Sequence, residues 1–230
     1  MSGAISYGSG ESGMAARLAA SGSAAVALII LALHAIKPEY QPSWRFISEY
    51  AIGPQGWIMQ AAFLLWAASC GALAFALRGH ARSRRGRAGL VVLAVVAIAL
   101  VPAGLFPQDP VTAPPEAHTV SGTIHAIASM IGVPGIALAA VLISSALWRT
   151  HADWTPHRRL LMASAHATWI SLAAMAIYLA WAVPQSGGFT PDVAAGWMNR
   201  LVVASYLAWQ ITVASLLLTM SRPAAGSPTR

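Results

Sequence analysis

Long uncharged apolar runs alternate with short polar links along the chain. The runs cover residues 18–36, 57–77, 88–106, 119–147, 160–183 and 199–220. A helix needs roughly 20 apolar residues to cross a hydrocarbon core, and each run is near or above that length. Backbone amides and carbonyls find no partner in lipid except each other, so a spanning run of this kind is a helix. The pattern predicts an all-α polytopic membrane protein, a six-transmembrane-helix bundle forming one domain over residues 18–220. Residues 1–17 open on a Gly/Ser/Ala-rich stretch and are expected to be a disordered cytoplasmic segment, with residues 221–230 a loose cytoplasmic tail. The first run lacks a strongly basic start and a convincing small-residue cleavage site, so it reads as a retained helix rather than a signal peptide.

Composition supports a lipid environment. The chain is 57% hydrophobic and 9% charged, against about 25% charged in a soluble domain. A net charge of +7 raises the question of nucleic acid. The arginines, however, gather in short links between apolar runs, which is how membrane orientation is set, so no nucleic-acid partner is expected. Six spans put both ends of the bundle on one side. That side takes Arg17, Arg78, Arg82, Arg84, Arg85, Arg87, Arg149, Arg158, Arg159, Arg222 and Arg230; the other takes Lys37, Arg45 and Arg200. The asymmetry predicts cytoplasmic termini. Glu39, Glu49, Asp109, Glu116 and Asp192 fall on the outer side, which orientation does not require and which suggests an outer site. The single cysteine, Cys70, lies within an apolar run and excludes an internal disulfide.

The candidate chemistry concentrates in two outer links. Residues 106–125, FPQDPVTAPPEAHTVSGTIH, bring Asp109, Glu116, His118 and His125 together in sequence, with prolines that stop the preceding helix. Ionisable groups at the edge of hydrocarbon are expensive and mark a functional site by default. His118, Ser121, Gly122, His125, Ser129 and Gly132 follow helical spacings and share one face. Their small members also serve close helix packing. His34 is expected at a depth similar to that of His125. With Asp109 the two histidines form a candidate set for zinc or another divalent metal, and Glu49 is a candidate general base. Hydrogen-bonded packing or contact with a substrate are the alternatives for the same histidines. In the first outer link, residues 43–52 read as a short amphipathic helix at the membrane interface. Trp44, Ile47 and Ala51 lie on one side, while Trp44, Tyr50 and Trp57 suit the headgroup level. Ser48 stands beside Glu49 as a candidate nucleophile, although spacing places no base on it. Arg45 and Glu49 form an i,i+4 pair. His118, Arg200 and Tyr50 are candidate ligand contacts. A bis-histidine haem between His34 and His125 has no further sequence support. There is no Walker loop, no Gly-x-Ser-x-Gly elbow and no Cys-x-x-Cys.

Three segments together resemble a known family. They are Ser48, Tyr50, Ala51, Gly53, Gly56 and Trp57; Phe106, Pro107 and Asp109; and Gly122 with His125. The resemblance is to the bacterial and archaeal membrane family catalogued as domain of unknown function nine-nine-eight, and it runs from His34 to the Arg200 region. It implies a compact multi-helix membrane protein and carries no established activity; the expected location is a bacterial cytoplasmic (inner) membrane. Three classes of function remain: a metal-assisted hydrolase of a lipid-like substrate at the outer leaflet, a non-enzymatic binder or transporter of a small amphiphile, and a structural accessory protein.

Overall fold

The structure, a computed structural model, describes residues 9–220. Six helices are long and apolar enough to cross a membrane: α1 Ser9–Ile36, α2 Gly56–Leu77, α3 Arg84–Leu105, α4 Val120–Thr150, α5 Arg158–Gln185 and α6 Ala195–Met220. The shortest have 22 residues, about 33 Å at the α-helical rise, enough for a hydrocarbon core of about 30 Å. Short 3-10 turns at Ile47–Ala51, Pro115–Ala117 and Ala152–His157 interrupt the links, and no strand occurs among the described residues. The protein is all-α and lives in a lipid bilayer.

Two expectations need correction. Residues 9–17 are helical rather than disordered. The segment ESGMAARLAA is rich in Ala, Met, Leu, Arg and Glu, which favour helix. Glu11 also lies in the first turn, where the helix dipole favours a negative charge. Ala15, Ala16 and Ala19 are buried. The expected interfacial helix over residues 43–52 shrinks to a single 3-10 turn that is tucked into the bundle, as described below. The expected tail, residues 221–230, lies outside the described residues, as do residues 1–8.

Each helix packs on its neighbours in sequence, and α1 closes the ring against α6. The α3–α4 seam is the most extensive, and Gly89 is one reason. A Cβ there would come within 2.7 Å of the Ile143 side chain, so the two helices meet more closely than any other residue would allow. Polar side chains tie the ring together inside the span. Gln210 Oε1 accepts from Ser23 Oγ at 2.8 Å and from Trp66 Nε1 at 3.1 Å, joining α6 to α1 and α2. Trp209 Nε1 donates to Ser144 Oγ at 3.0 Å, joining α6 to α4. In hydrocarbon such bonds contribute roughly 0.6 to 2 kcal/mol each.

The ring is not equally tight along its length. Over residues 136–147 most of α4 is buried, whereas over residues 120–132 only Gly122, His125, Ala128 and Gly132 are. The buried residues of α5 are Leu161, Ala165, Thr168 and Ser171 in its first half, then Ala182 alone. Burial along α4 and α5 is thus concentrated near the arginine-rich end and falls off toward the acidic end, where Thr123, Ala126 and Met130 are exposed. Pro134 lies at the change. It deprives α4 of one amide donor, and Tyr206 Oη donates to the adjacent Val133 carbonyl at 2.7 Å.

Candidate functional site

The acidic end is roofed by the 3-10 turn Ile47–Ala51, which is fastened to three parts of the ring. The Ile47 amide donates to Asn199 Oδ1 on α6 at 3.1 Å. Ser48 Oγ donates to Gln108 Oε1 in the α3–α4 link at 2.6 Å. Glu49 is fully buried and accepts from the Phe46 amide at 2.9 Å, the Val111 amide at 3.0 Å and the Arg45 guanidinium at 2.9 Å. Burial pushes its carboxyl up, against the pull of these three donors. The Lys37 ammonium is equally buried and donates to the Tyr50 carbonyl at 3.1 Å and to the Ile52 carbonyl. The link can sit this deep because glycine makes room for it. A Cβ at Gly196 would lie 2.4 Å from the Pro42 carbonyl oxygen, and one at Gly56 would lie 2.2 Å from that of Ala51.

Arg200, near the start of α6, binds the roof to α1. Its Nε donates to His34 Nε2 at 2.8 Å, Nη1 to the carbonyls of Arg45 and Gly196 at 2.7 and 3.1 Å, and Nη2 to Tyr50 Oη at 2.8 Å. His34 Nδ1 lies 2.7 Å from the Ile30 carbonyl, which can only accept. The ring is therefore the Nδ1–H tautomer, and its one lone pair is given to Arg200.

The α3–α4 link forms a second fastening. Residue 107 is proline, so the Ala103 carbonyl has no amide four residues on to receive. His125 Nδ1 takes that role, donating to the carbonyls of Ala103 and Phe106, each at 3.0 Å. Ser121 Oγ donates to the Pro107 carbonyl at 2.8 Å. In return the link caps α4. Thr119 Oγ1 accepts from the Gly122 amide at 3.0 Å. Asp109 receives the Thr119 amide and hydroxyl, both at 2.8 Å. The Thr119 amide holds the Asp109 carboxyl below the usual carboxylate range. A Cβ at Gly122 would stand 2.0 Å from an Asp109 carboxylate oxygen, so only glycine fits. His118 precedes the helix in extended backbone and is exposed.

The expected metal set does not assemble. Among the described residues no three His, Cys, Asp or Glu side chains are grouped to hold a metal ion. His34 faces a guanidinium, which repels a cation and occupies the lone pair a metal or haem iron would need. His125 is oriented by the end of α3, Asp109 by Thr119, and α1 and α4 are not neighbours in the ring. Glu49 has both oxygens engaged, and Ser48 has an amide rather than a base beside it.

What the acidic end does contain is a cavity of about 540 Å³ inside the ring, within the 300–1,000 Å³ typical of small-molecule sites. Its deep part is apolar, lined by Phe63, Trp66, Leu100, Ile136, Met175 and Val203. Its polar end carries Ser48, Gln108, Asp109, His118, His125 and Asn199. The helical stripe of Gly122, His125, Ser129 and Gly132 lines it as well. Sequence reasoning passed over Gln108 and Asn199, because a lone amide belongs to no motif. Only their position opposite the roof gives them meaning.

Replacing His125 by Ala leaves the Ala103 and Phe106 carbonyls without their donor. The expected loss is about 1–3 kcal/mol of stability, read as a lower thermal midpoint in detergent. His125→Asn, which keeps an N–H donor, should recover part of the loss. A His125→Ala variant that melts with the parent protein would contradict this role.

Neither a curated protein nor a solved structure matches the chain. A family model does, over residues 19–216, and it spans the three segments whose roles have just been described: the Gly-flanked roof, the Pro107–His125 fastening and the Asp109–Gly122 contact. The chain belongs to the DUF998 family, described as a protein of unknown function.

Proposed function

We propose that the protein holds a small amphiphile in its acidic-end cavity, as a binder or transporter rather than a hydrolase. The observation that carries this reading is the cavity itself, with its apolar depth, its polar end and a flank on α4 and α5 where few residues are buried. An apolar chain would enter sideways from the bilayer, while its head meets the roof. A hydrolase reading lacks support from the groups that would carry it. Glu49 is enclosed by its donors, Ser48 has no base, and the candidate metal ligands serve other partners.

Gly132 provides a test. It lines the cavity, yet a Cβ there would meet nothing within 4 Å. Gly132→Phe should therefore fill the space without disturbing the fold. Binding of a long-chain amphiphile to the detergent-solubilised protein, followed by native mass spectrometry, is expected to fall at least about tenfold, close to 1.4 kcal/mol, at an unchanged thermal midpoint. Undiminished binding would contradict the cavity as the site.

The same reading sets the cavity at the outer face of a bacterial cytoplasmic membrane, with both termini cytoplasmic. It is supported by the arginines of the α2–α3 and α4–α5 links and the scarcity of positive charge at the other end. A reporter that is active only in the periplasm should work when fused near Pro114 and fail when fused after Arg230. The reverse result would invert the orientation.

A further inference from the structure

The cavity's polar end has a specific hydrogen-bonding character. Asn199 Oδ1 is committed to the Ile47 amide, which can only donate, so its Nδ2 is the free half of the side chain. In the arrangement observed, Gln108 Oε1 receives Ser48 Oγ and Nε2 is free, although a hydroxyl, unlike an amide N–H, can also accept. Neither amide nitrogen has a protein partner among the described residues, neither is shut off as a buried orphan, and both residues line the cavity. Two uncharged N–H donors, that of Asn199 fixed in orientation by the Ile47 amide, thus belong to residues at one end of an apolar space.

The nearby guanidinium and ammonium groups are largely engaged, while Arg45 Nε and the exposed His118 imidazole at the rim are not. Arg200 gives four of its five N–H donors to His34, Arg45, Gly196 and Tyr50. Arg45 pairs with Glu49 at 2.9 Å, and Lys37 serves the carbonyls of the roof. The acid lining the cavity, Asp109, is held in its charged form by Thr119, and an anionic head would have to approach it. Asp109 is in turn satisfied by Thr119, so it does not depend on a cationic ligand.

We infer that the cavity selects an amphiphile whose head is uncharged and accepts hydrogen bonds, a carboxylic ester or amide attached to a long alkyl chain. This rests on the reading of the cavity as an amphiphile site. The ester or amide carbonyl receives Asn199 Nδ2 and Gln108 Nε2, and the chain lies along Phe63, Trp66 and Val203. Neutral amides recognise such a carbonyl without the desolvation penalty of a buried charge.

The test uses four probes of matched chain length on the intact protein in detergent: monoolein, oleate, oleylamine and octadecene. Bound fractions are read by native mass spectrometry. Monoolein is expected to bind at least about tenfold more tightly than the other three. Asn199→Asp and Gln108→Glu keep the oxygen that holds the roof and remove the free donor. Either change should weaken monoolein about tenfold and leave octadecene unaffected. Tighter binding of oleate or oleylamine would overturn the inference. So would equal binding of monoolein and octadecene, or a double variant that retains monoolein, although in these cases the cavity remains an amphiphile site. If none of the four probes binds, the cavity reading falls with it.

Discussion

A carbonyl that loses its amide partner at the edge of a bilayer must find another donor. Pro107 creates that situation at the end of α3, and His125 of α4 resolves it by donating to Ala103 and Phe106. Much of the acidic end follows from this pairing. It sets the distance between α3 and the first turn of α4. That distance brings Asp109 onto Thr119 and allows nothing larger than glycine at residue 122. With α4 drawn to α3 on one side, few residues on its other flank are buried there, and a space remains inside the ring.

The roof depends on the same economy of partners. Buried Lys37 and Glu49 and half-buried Arg200 are each surrounded by groups of opposite polarity. A charge in such a place would be prohibitive alone and is acceptable when fully hydrogen-bonded. These residues hold the first link over the cavity and are used up in doing so. The groups left to meet a ligand are the amide nitrogens of Asn199 and Gln108, the His118 imidazole and the far side of the His125 ring. On the proposed reading, the charged groups at this end are structural and recognition falls to neutral donors.

The six spans were legible in the sequence because hydropathy at this length has one physical solution in lipid. So was the importance of the segment from Phe106 to His125, since prolines, charges and histidines rarely gather there without a purpose. The use to which they are put was less accessible. His34 and His125 looked like a pair because both sit about a turn inside their helices. The sequence holds no sign that Arg200, 166 residues away, would claim the lone pair of one, or that a proline 18 residues upstream of the other would supply its acceptor. The i,i+4 pair of Arg45 and Glu49 was visible and is present, but its burial depends on glycines at 56 and 196 that allow the link to fold inward. Asn199 and Gln108 carry no local signal at all. Their role arises from which half of each amide the roof has already taken.

The central claim is that the space between α4 and α6 is occupied by a molecule drawn from the bilayer. The most direct measurement is an electron cryomicroscopy map of the protein in lipid nanodiscs prepared from native membrane. The account expects elongated non-protein density running from Asn199 and Gln108 past Val203 to Trp66, with α4 and α5 apart at the acidic end. A map in which α5 closes on α4 and side chains fill the space would contradict it.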